Sequence, residues 1–187
     1  MEAIVDLLFE ARILKELPRS GYHFLGAGRE TVAEHSFLVT VVGFVLSCMH
    51  PDVNRLKLLE MCLVHDLAES RTGDLNSVQK KYVVADERKA EKDLCKSLAF
   101  GTHMADLFAE FHACRTQEAK LAHDADQIAL LLELKALKDT GHKGPEHWIP
   151  RVLARLHTDG GKRLGQGVLN RAFDAWWFDE KYDRSNS

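Results

Sequence analysis

The sequence predicts an all-α fold. Most of the 187 residues form segments in which apolar side chains recur every three to four positions, the spacing of one face of a helix. We find no convincing alternation of apolar and polar residues of the kind that marks a half-buried strand. Proline and glycine stand between the helical segments, where they end helices and form turns. We therefore expect a helical bundle that forms a single domain over residues 1–187, a length that suits one compact core.

The first half of the chain contains three predicted helices. Residues 2–17 place their apolar side chains on one stripe, and the letters PRSG end that helix. After the loop YHFLGAGRE, Thr31 and Glu34 show the spacing of a capping box and open a helix that is apolar on most faces. Such a helix is expected to be central. The third helix runs over residues 51–70.

The second half of the chain continues the helical pattern. A charged stretch is expected to form a long exposed helix, and a shorter helix follows it. The segment TQEAKLAHDADQIALLLELKALKDTG has an acidic start, a leucine stripe and late lysines, and Gly141 ends it. Two C-terminal helices are expected to pack on the main body, with Trp176, Trp177 and Phe178 in the core. The predicted helices of this half span 79–99, 103–114, 116–141, 149–157 and 166–180.

Composition and charge exclude several classes of protein. The formal net charge is −3 and no basic block is present, so nothing indicates a nucleic-acid partner. Acidic residues interrupt the apolar pattern of the N-terminus, which is not typical of a signal peptide, and we expect no membrane-spanning segment. The four cysteines form no CxxC pair, which favours reduced thiols. We therefore expect a cytoplasmic protein.

A set of histidines and aspartates interrupts the apolar helices. His35 lies near the start of the central helix, and His65 and Asp66 break the apolar run in MCLVHDLAES. Asp124 and Asp126 lie just before the most apolar part of the segment 116–141. Burying such groups is unfavourable unless a partner compensates them. Two histidines and two aspartates from three helices could bind one divalent cation and leave positions open for water and substrate.

The order of these residues resembles that of a known family. The letters EHS, then HDLAES about thirty residues later, then TGDL and DADQ, are similar to the HD-domain metal-dependent phosphohydrolases, above all the subgroup of the bacterial 5′-deoxynucleotidases. The resemblance is strongest over residues 5–140 and implies an all-α bundle of the HD-domain type. It also implies one divalent metal cation (Mn, Co, Fe, Ni, Zn or Mg) bound by His35, His65, Asp66 and Asp126. We prefer Asp126 to Asp124 because it directly precedes the apolar helix, as the family pattern requires, and Asp124 faces another side.

The resemblance also implies substrate-binding residues. Arg19 in LPRSGY corresponds to an arginine expected to hold a substrate phosphate, while Tyr22 stands where the family has tryptophan. Asp74 in TGDL matches an acidic residue expected near the sugar. From its position one helical turn after His65, Glu69 could act as general acid or base beside the metal-bound Asp66. We therefore expect Glu69 and Asp66 to take part in catalysis.

These residues predict a metal-dependent phosphohydrolase. A 5′-nucleotidase that converts a deoxynucleoside monophosphate into nucleoside and phosphate fits best, and the resemblance adds a homodimer. Ser70 stands where hydrolases of guanosine tetraphosphate carry a second acid, which disfavours that class. Two alternatives stay open at this stage. One is a phosphohydrolase of the same superfamily with another phosphoester substrate, and the other is a non-catalytic helical module that binds a nucleotide or a protein and holds a structural metal.

Overall fold

The computed structural model describes residues 1–178 and shows helices without a β-strand in that range, which confirms the all-α class. An isolated bridge joins Pro18 to Thr31. A 3₁₀ helix covers Gln79–Lys81. The α-helices in chain order are α1 (Glu2–Ile13), α2 (Tyr22–Leu25), α3 (Val32–Met49), α4 (Arg55–Val64), α5 (Glu69–Thr72), α6 (Glu87–Cys95), α7 (Gly101–Ala113), α8 (Gln117–Asp139), α9 (Pro145–Leu153) and α10 (Asp159–Asn170).

Helices α3 and α8 form the centre of the bundle. They pack against each other, α4 packs against both, and α7, α9 and α10 contact α8. Fully buried side chains such as Leu46 of α3, Leu58 of α4 and Leu121 of α8 fill the core between them. Burying a leucine side chain contributes about 1.5–3 kcal/mol, so this core holds the three helices that carry the expected metal ligands in fixed positions.

Side-chain caps define where the longer helices begin. Thr31 Oγ1 accepts a hydrogen bond from the Glu34 amide at 3.2 Å, and Glu34 Oε2 accepts one from the Thr31 amide at 2.7 Å, which confirms the capping box. Each such cap satisfies amides that have no partner inside the helix. Asn54, Thr116 and Thr158 cap α4, α8 and α10 in the same way.

Two helices predicted in the middle of the chain are shorter than expected. The helix expected over 51–70 ends at Val64, and a turn that contains His65 and Asp66 separates it from α5. The charged stretch 79–99 is not one helix, because Asp86 caps a new helix by accepting a hydrogen bond from the Lys89 amide at 3.0 Å.

The C-terminal prediction needs correction. The helix expected over 166–180 instead ends at Asn170 and begins at Asp159, directly after its cap Thr158. Gly160 and Gly161 lie in the first turn of this helix, where a Cβ on Gly161 would lie 2.2 Å from Asp124 Oδ2. Trp176, Trp177 and Phe178, expected in the core, are 60%, 70% and 73% exposed. Residues 179 and 180 of that prediction lie outside the described residues.

The outer face of α3 is apolar. Phe37, Val41, Phe44 and Val45 are each at least 40% exposed. With 18 residues and a mean hydropathy of 1.7, α3 is long and apolar enough to cross a membrane, contrary to our expectation that no segment would be. Its other face belongs to the core against α4 and α8, and 44% of the helix is buried.

Candidate metal centre and active site

Three predicted metal ligands meet at the centre of the bundle. His35 comes from the first turns of α3, His65 from the end of α4, and Asp126 from the first half of α8. One ligand atom of each lies within 4.8 Å of the other two. The distance from His35 Nε2 to Asp126 Oδ1 is 2.9 Å. The packing of three helices therefore brings these side chains from distant parts of the sequence to one point.

Asp66 adjoins this group of three. Its Oδ2 lies 3.2 Å from His65 Nε2 and 3.9 Å from His35 Nε2. Arg19 Nη1 donates a hydrogen bond to the same oxygen at 3.3 Å. Asp66 thus connects the group to Arg19, the residue expected to bind phosphate.

The donor set fits a divalent cation. His65 Nδ1 donates to the Cys62 carbonyl at 2.9 Å, which fixes the tautomer that leaves Nε2 free to bind a metal. His65 Nε2 is buried and has no hydrogen-bond partner among the described residues. Two imidazole nitrogens and two carboxylates form a mixed set that suits transition metals. The structure places His35, His65, Asp66 and Asp126 where they could hold such an ion.

The charges of the site interact strongly. Burial lowers the pKa of His65, but the nearby carboxylates of Asp66 and Asp126 outweigh burial and raise the pKa to about 9. Burial raises the pKa of both aspartates, but the neighbouring histidines and Arg19 outweigh it and hold both values below their usual range. In this structure the two carboxylates are therefore anionic at neutral pH and ready to bind a cation.

Glu69 lies next to this cluster in the short helix α5. Burial raises its pKa to about 9, with further contributions from the negative charges of Asp66 and Asp74. Its Oε2 is buried and has no hydrogen-bond partner among the described residues. A bound cation would lower the pKa of Glu69, so metal binding and the protonation of this carboxyl group are linked.

The predicted substrate-binding residues line one cavity of about 200 Å³, with Arg19, Tyr22 and Asp74 in its wall. Asp74 follows Gly73, whose φ of 74° allows the turn, and Asp74 Oδ2 accepts a hydrogen bond from the Ser20 amide at 2.7 Å. This bond holds the segment around Arg19 against the turn after α5. Because Arg19 also contacts Asp66, the cavity opens next to the metal ligands.

Glu30 is a site residue that the sequence analysis missed. It is 6% exposed, and its Oε2 accepts a hydrogen bond from the Tyr22 hydroxyl at 3.2 Å. The same oxygen lies 3.7 Å from His35 Nδ1 and 4.0 Å from Arg19 Nε. Glu30 therefore lies between His35, an expected metal ligand, and Arg19, the residue expected to bind phosphate. The Tyr22 hydroxyl is used by this contact, so only the ring faces the cavity.

Asp124 has a structural role. It is fully buried, and it accepts hydrogen bonds from the amides of His157 and Thr158 at 2.6 and 2.9 Å and from the Thr158 hydroxyl at 2.6 Å. These bonds secure the start of α10 and satisfy the carboxylate away from the metal ligands. The geometry agrees with the preference for Asp126 over Asp124.

A larger groove lies elsewhere in the molecule. It has a volume of about 730 Å³ between α6 and α7 and contains none of the predicted site residues. A hydrogen bond of 2.6 Å between His112 and Glu91 crosses it. Cavity size alone would therefore have indicated a different region from the one in which titratable groups converge.

Comparisons with known proteins agree with this geometry. The family described as "HD domain" matches residues 11–165. A protein of Dictyostelium discoideum named 5′-deoxynucleotidase HDDC2 is 28% identical over 144 residues, covering 70% of this chain and 75% of the relative. The 5′-deoxynucleotidase hdd1 of Schizosaccharomyces pombe is 27% identical over 142 residues, or 71% of each chain.

Solved structures share the fold. A conserved hypothetical protein from Pyrococcus furiosus superposes with a TM-score of 0.76 at 26% identity, over 89% of this chain and 99% of the other. A protein described as a predicted metal-dependent phosphohydrolase from Magnetospirillum magnetotacticum has a TM-score of 0.71 at 22% identity, over 94% of both chains. The match covers most of the sequence and the expected ligands meet in the structure. The chain therefore belongs to the HD-domain family, the family of metal-dependent phosphohydrolases that its sequence resembles.

Proposed function

We propose that this protein is a 5′-nucleotidase that hydrolyses deoxynucleoside monophosphates to nucleoside and inorganic phosphate. The observation that carries the proposal is the position of Arg19, which contacts Asp66 at 3.3 Å and also lines the cavity of about 200 Å³. A phosphate bound by Arg19 would lie beside the metal ligands, and its leaving group would extend into the cavity. The names of the relatives support a deoxynucleotide.

In the proposed mechanism the cation and the side chains have different chemical roles. A divalent cation held by His35, His65, Asp66 and Asp126 would supply Lewis acidity for the phosphoryl group and acidify water. Arg19 binds phosphate oxygens and offsets their charge, and Glu30 and Asp66 hold its guanidinium in place.

The proton transfer is assigned to Glu69. The oxygen of water forms a bond to phosphorus while the ester bond between phosphorus and the leaving oxygen breaks. The leaving oxygen then needs a proton, and the carboxyl group of Glu69, buried beside Asp66, can deliver it. The proton that the attacking water gives up restores the carboxyl group of Glu69, so the products are an alcohol and inorganic phosphate and no further reactant is needed.

The cavity suits a nucleoside. Its wall is apolar where Leu25, Leu130 and Val152 meet the rings of Tyr22 and Trp148, as expected for a surface that contacts a base. Asp74 and Asn76 also line the cavity and add polar groups to its wall. The same cavity would also accept another flat leaving group, so the choice among phosphoesters needs a direct assay.

An assay of metals against phosphoesters tests the proposed function. Metal-free protein is reconstituted with Mn, Co, Fe, Ni, Zn or Mg, and phosphate release is measured from deoxynucleoside and ribonucleoside 5′-monophosphates, glycerol phosphate and p-nitrophenyl phosphate. We expect at least one transition metal to give release from deoxynucleotides with one nucleoside formed per phosphate. Release only from the non-nucleotide esters, or no release with any metal, would overturn the proposed function.

We also propose that the protein is a homodimer that pairs through the apolar outer face of α3. Large apolar surfaces on a soluble domain mark interaction sites, and Phe37 and Phe44 are 70% and 51% exposed there.

We expect light scattering to give twice the mass of one chain, and Phe44→Glu to give the mass of a monomer. Val84→Glu, a matched change at a residue 96% exposed elsewhere, should leave the dimer intact. A monomeric wild type would contradict the proposal.

A further inference from the structure

Helix α9 completes the cavity beside the metal ligands. The cavity wall continues from Arg19 and Tyr22 to Trp148, Arg151 and Arg155. These last three residues lie beyond the motifs in residues 5–140 that carry the sequence resemblance, although the family match extends to residue 165. The leaving group of a phosphate held at Arg19 would therefore meet α9, and α9 can select among leaving groups.

The position of α9 relative to Arg19 is fixed by close packing. The Trp148 ring lies against Gly21, where a Cβ would be only 3.3 Å from Trp148 Cη2. At the start of α9, a Cβ on Gly144 would lie 2.7 Å from the Leu25 carbonyl oxygen. Because Gly21 belongs to the same short segment as Arg19, the distance between the phosphate-binding arginine and α9 is held by backbone contacts.

Two arginines of this wall carry charge without a counter-charge. Arg151 lies in the last turn of α9, which ends at Leu153, and Arg155 lies in the turn that follows. Both side chains are exposed and both line the cavity. Neither forms an ion pair with any of residues 1–178, although Asp74 lines the same cavity. Arg19 and the metal site already offset the negative charge of one phosphate. The positive charges of Arg151 and Arg155 are therefore available for a second anionic group.

We propose that Arg151 and Arg155 bind a second phosphate on the leaving alcohol, so that the preferred substrate is a nucleoside bisphosphate. Guanidinium groups match phosphate oxygens through paired charge-assisted hydrogen bonds. The ester phosphate at Arg19 is hydrolysed: water oxygen bonds to phosphorus, the phosphorus–oxygen ester bond breaks, and the alcohol takes a proton. The second phosphate remains on the product, which is a nucleoside monophosphate. This inference rests on the proposed function: it keeps the site and the reaction and replaces the monophosphate substrate by a bisphosphate.

Kinetics on a matched pair of substrates test this inference. Deoxyadenosine 5′-monophosphate is compared with deoxyadenosine 3′,5′-bisphosphate, in the wild type and in the double variant Arg151→Gln/Arg155→Gln. We expect the double variant to raise KM for the bisphosphate about tenfold or more and to change KM for the monophosphate by less than about twofold. The control Lys162→Gln/Arg163→Gln removes two exposed cations of α10 that do not line the cavity, and should change neither value.

Two results would overturn the inference: equal effects of the double variant on both nucleotides, or no effect on either. Equilibrium binding separates this inference from the proposed function. Calorimetry on the metal-loaded protein measures the affinity for both nucleotides, and a preference for the bisphosphate that disappears in the double variant supports the second phosphate site even if no nucleotide is hydrolysed. In that case the hydrolysis alone is refuted.

Discussion

Replacing His65 with alanine is expected to remove both the bound metal and the activity. The side chain of His65 is 3% exposed, and its Nε2 lies 3.2 Å from Asp66 Oδ2. The variant lacks one of the four proposed ligands, and the remaining imidazole and two carboxylates should bind a cation more weakly. We expect metal content below about one-tenth of the wild type and kcat/KM lower by about 1,000-fold or more. Elemental analysis and phosphate release measure the two effects.

Two further variants make this experiment decisive. Asp126→Asn keeps the size of the side chain and removes the charge of a second ligand, so it should also lose metal even if His65→Ala folds poorly. His103→Ala is the matched control, because the side chain of His103 is 60% exposed and contacts only surface Glu60 among the described residues. It should keep metal and activity. Wild-type metal content in both site variants would refute the assigned ligand set.

Metal binding should also raise the melting temperature of the protein. A ligand that binds only the folded state stabilises it by about 2.7 kcal/mol at one hundred times its dissociation constant. The effect should be clear here, since Asp66, Glu69 and Asp126 crowd their carboxyl groups into one buried region. We expect the added metal to raise the melting temperature of the wild type and of His103→Ala. The melting temperature of His65→Ala should not respond.

Local sequence signals account for the parts of the structure that were predicted well. The capping box at Thr31 and Glu34 needs only residues three positions apart, and it fixes where α3 begins. The preference for Asp126 over Asp124 comes from the family pattern. The rotation of about 100° per residue along a helix adds that two aspartates two positions apart point toward different surroundings. In the structure Asp126 meets His35, and Asp124 meets Thr158.

Contacts between distant segments account for the parts that were not predicted. Glu30 becomes a buried site residue only because Tyr22 and His35 close around it. The start of α10 depends on Asp124, whose carboxylate binds a residue 34 positions later in the chain. Helix α9 reaches the cavity because Gly21 leaves room for an aromatic ring. None of these contacts has a period or a spacing that a single sequence displays.

Replacing Glu69 with glutamine is expected to stop turnover while the metal stays bound. The amide is close in size to the carboxyl group but cannot transfer the proton, and general acid–base catalysis contributes about 10²- to 10⁴-fold to rates. We therefore expect kcat to fall by that factor at unchanged metal content. Glu60→Gln, a matched change at a carboxylate on the surface of α4, should keep full activity. Normal turnover in Glu69→Gln would refute the role assigned to Glu69.

The same variant has a pH signature in the metal-free protein. In the folded state the pKa of Glu69 is raised from 4.5 to about 9, chiefly by burial. The folded state therefore retains this proton more tightly than the unfolded state, so the stability from this group is complete below pH 4.5 and is lost as the pH rises toward about 9. The glutamine in Glu69→Gln cannot ionise, so the variant should lack that loss of stability.

Thermal unfolding of the metal-free wild type and variant at pH 5 and pH 8 should show the two melting temperatures diverging at the higher pH, with the variant the more stable. A purely surface-exposed Glu69 would give the same difference at both pH values, so this measurement tests the burial on which the proton-transfer role depends.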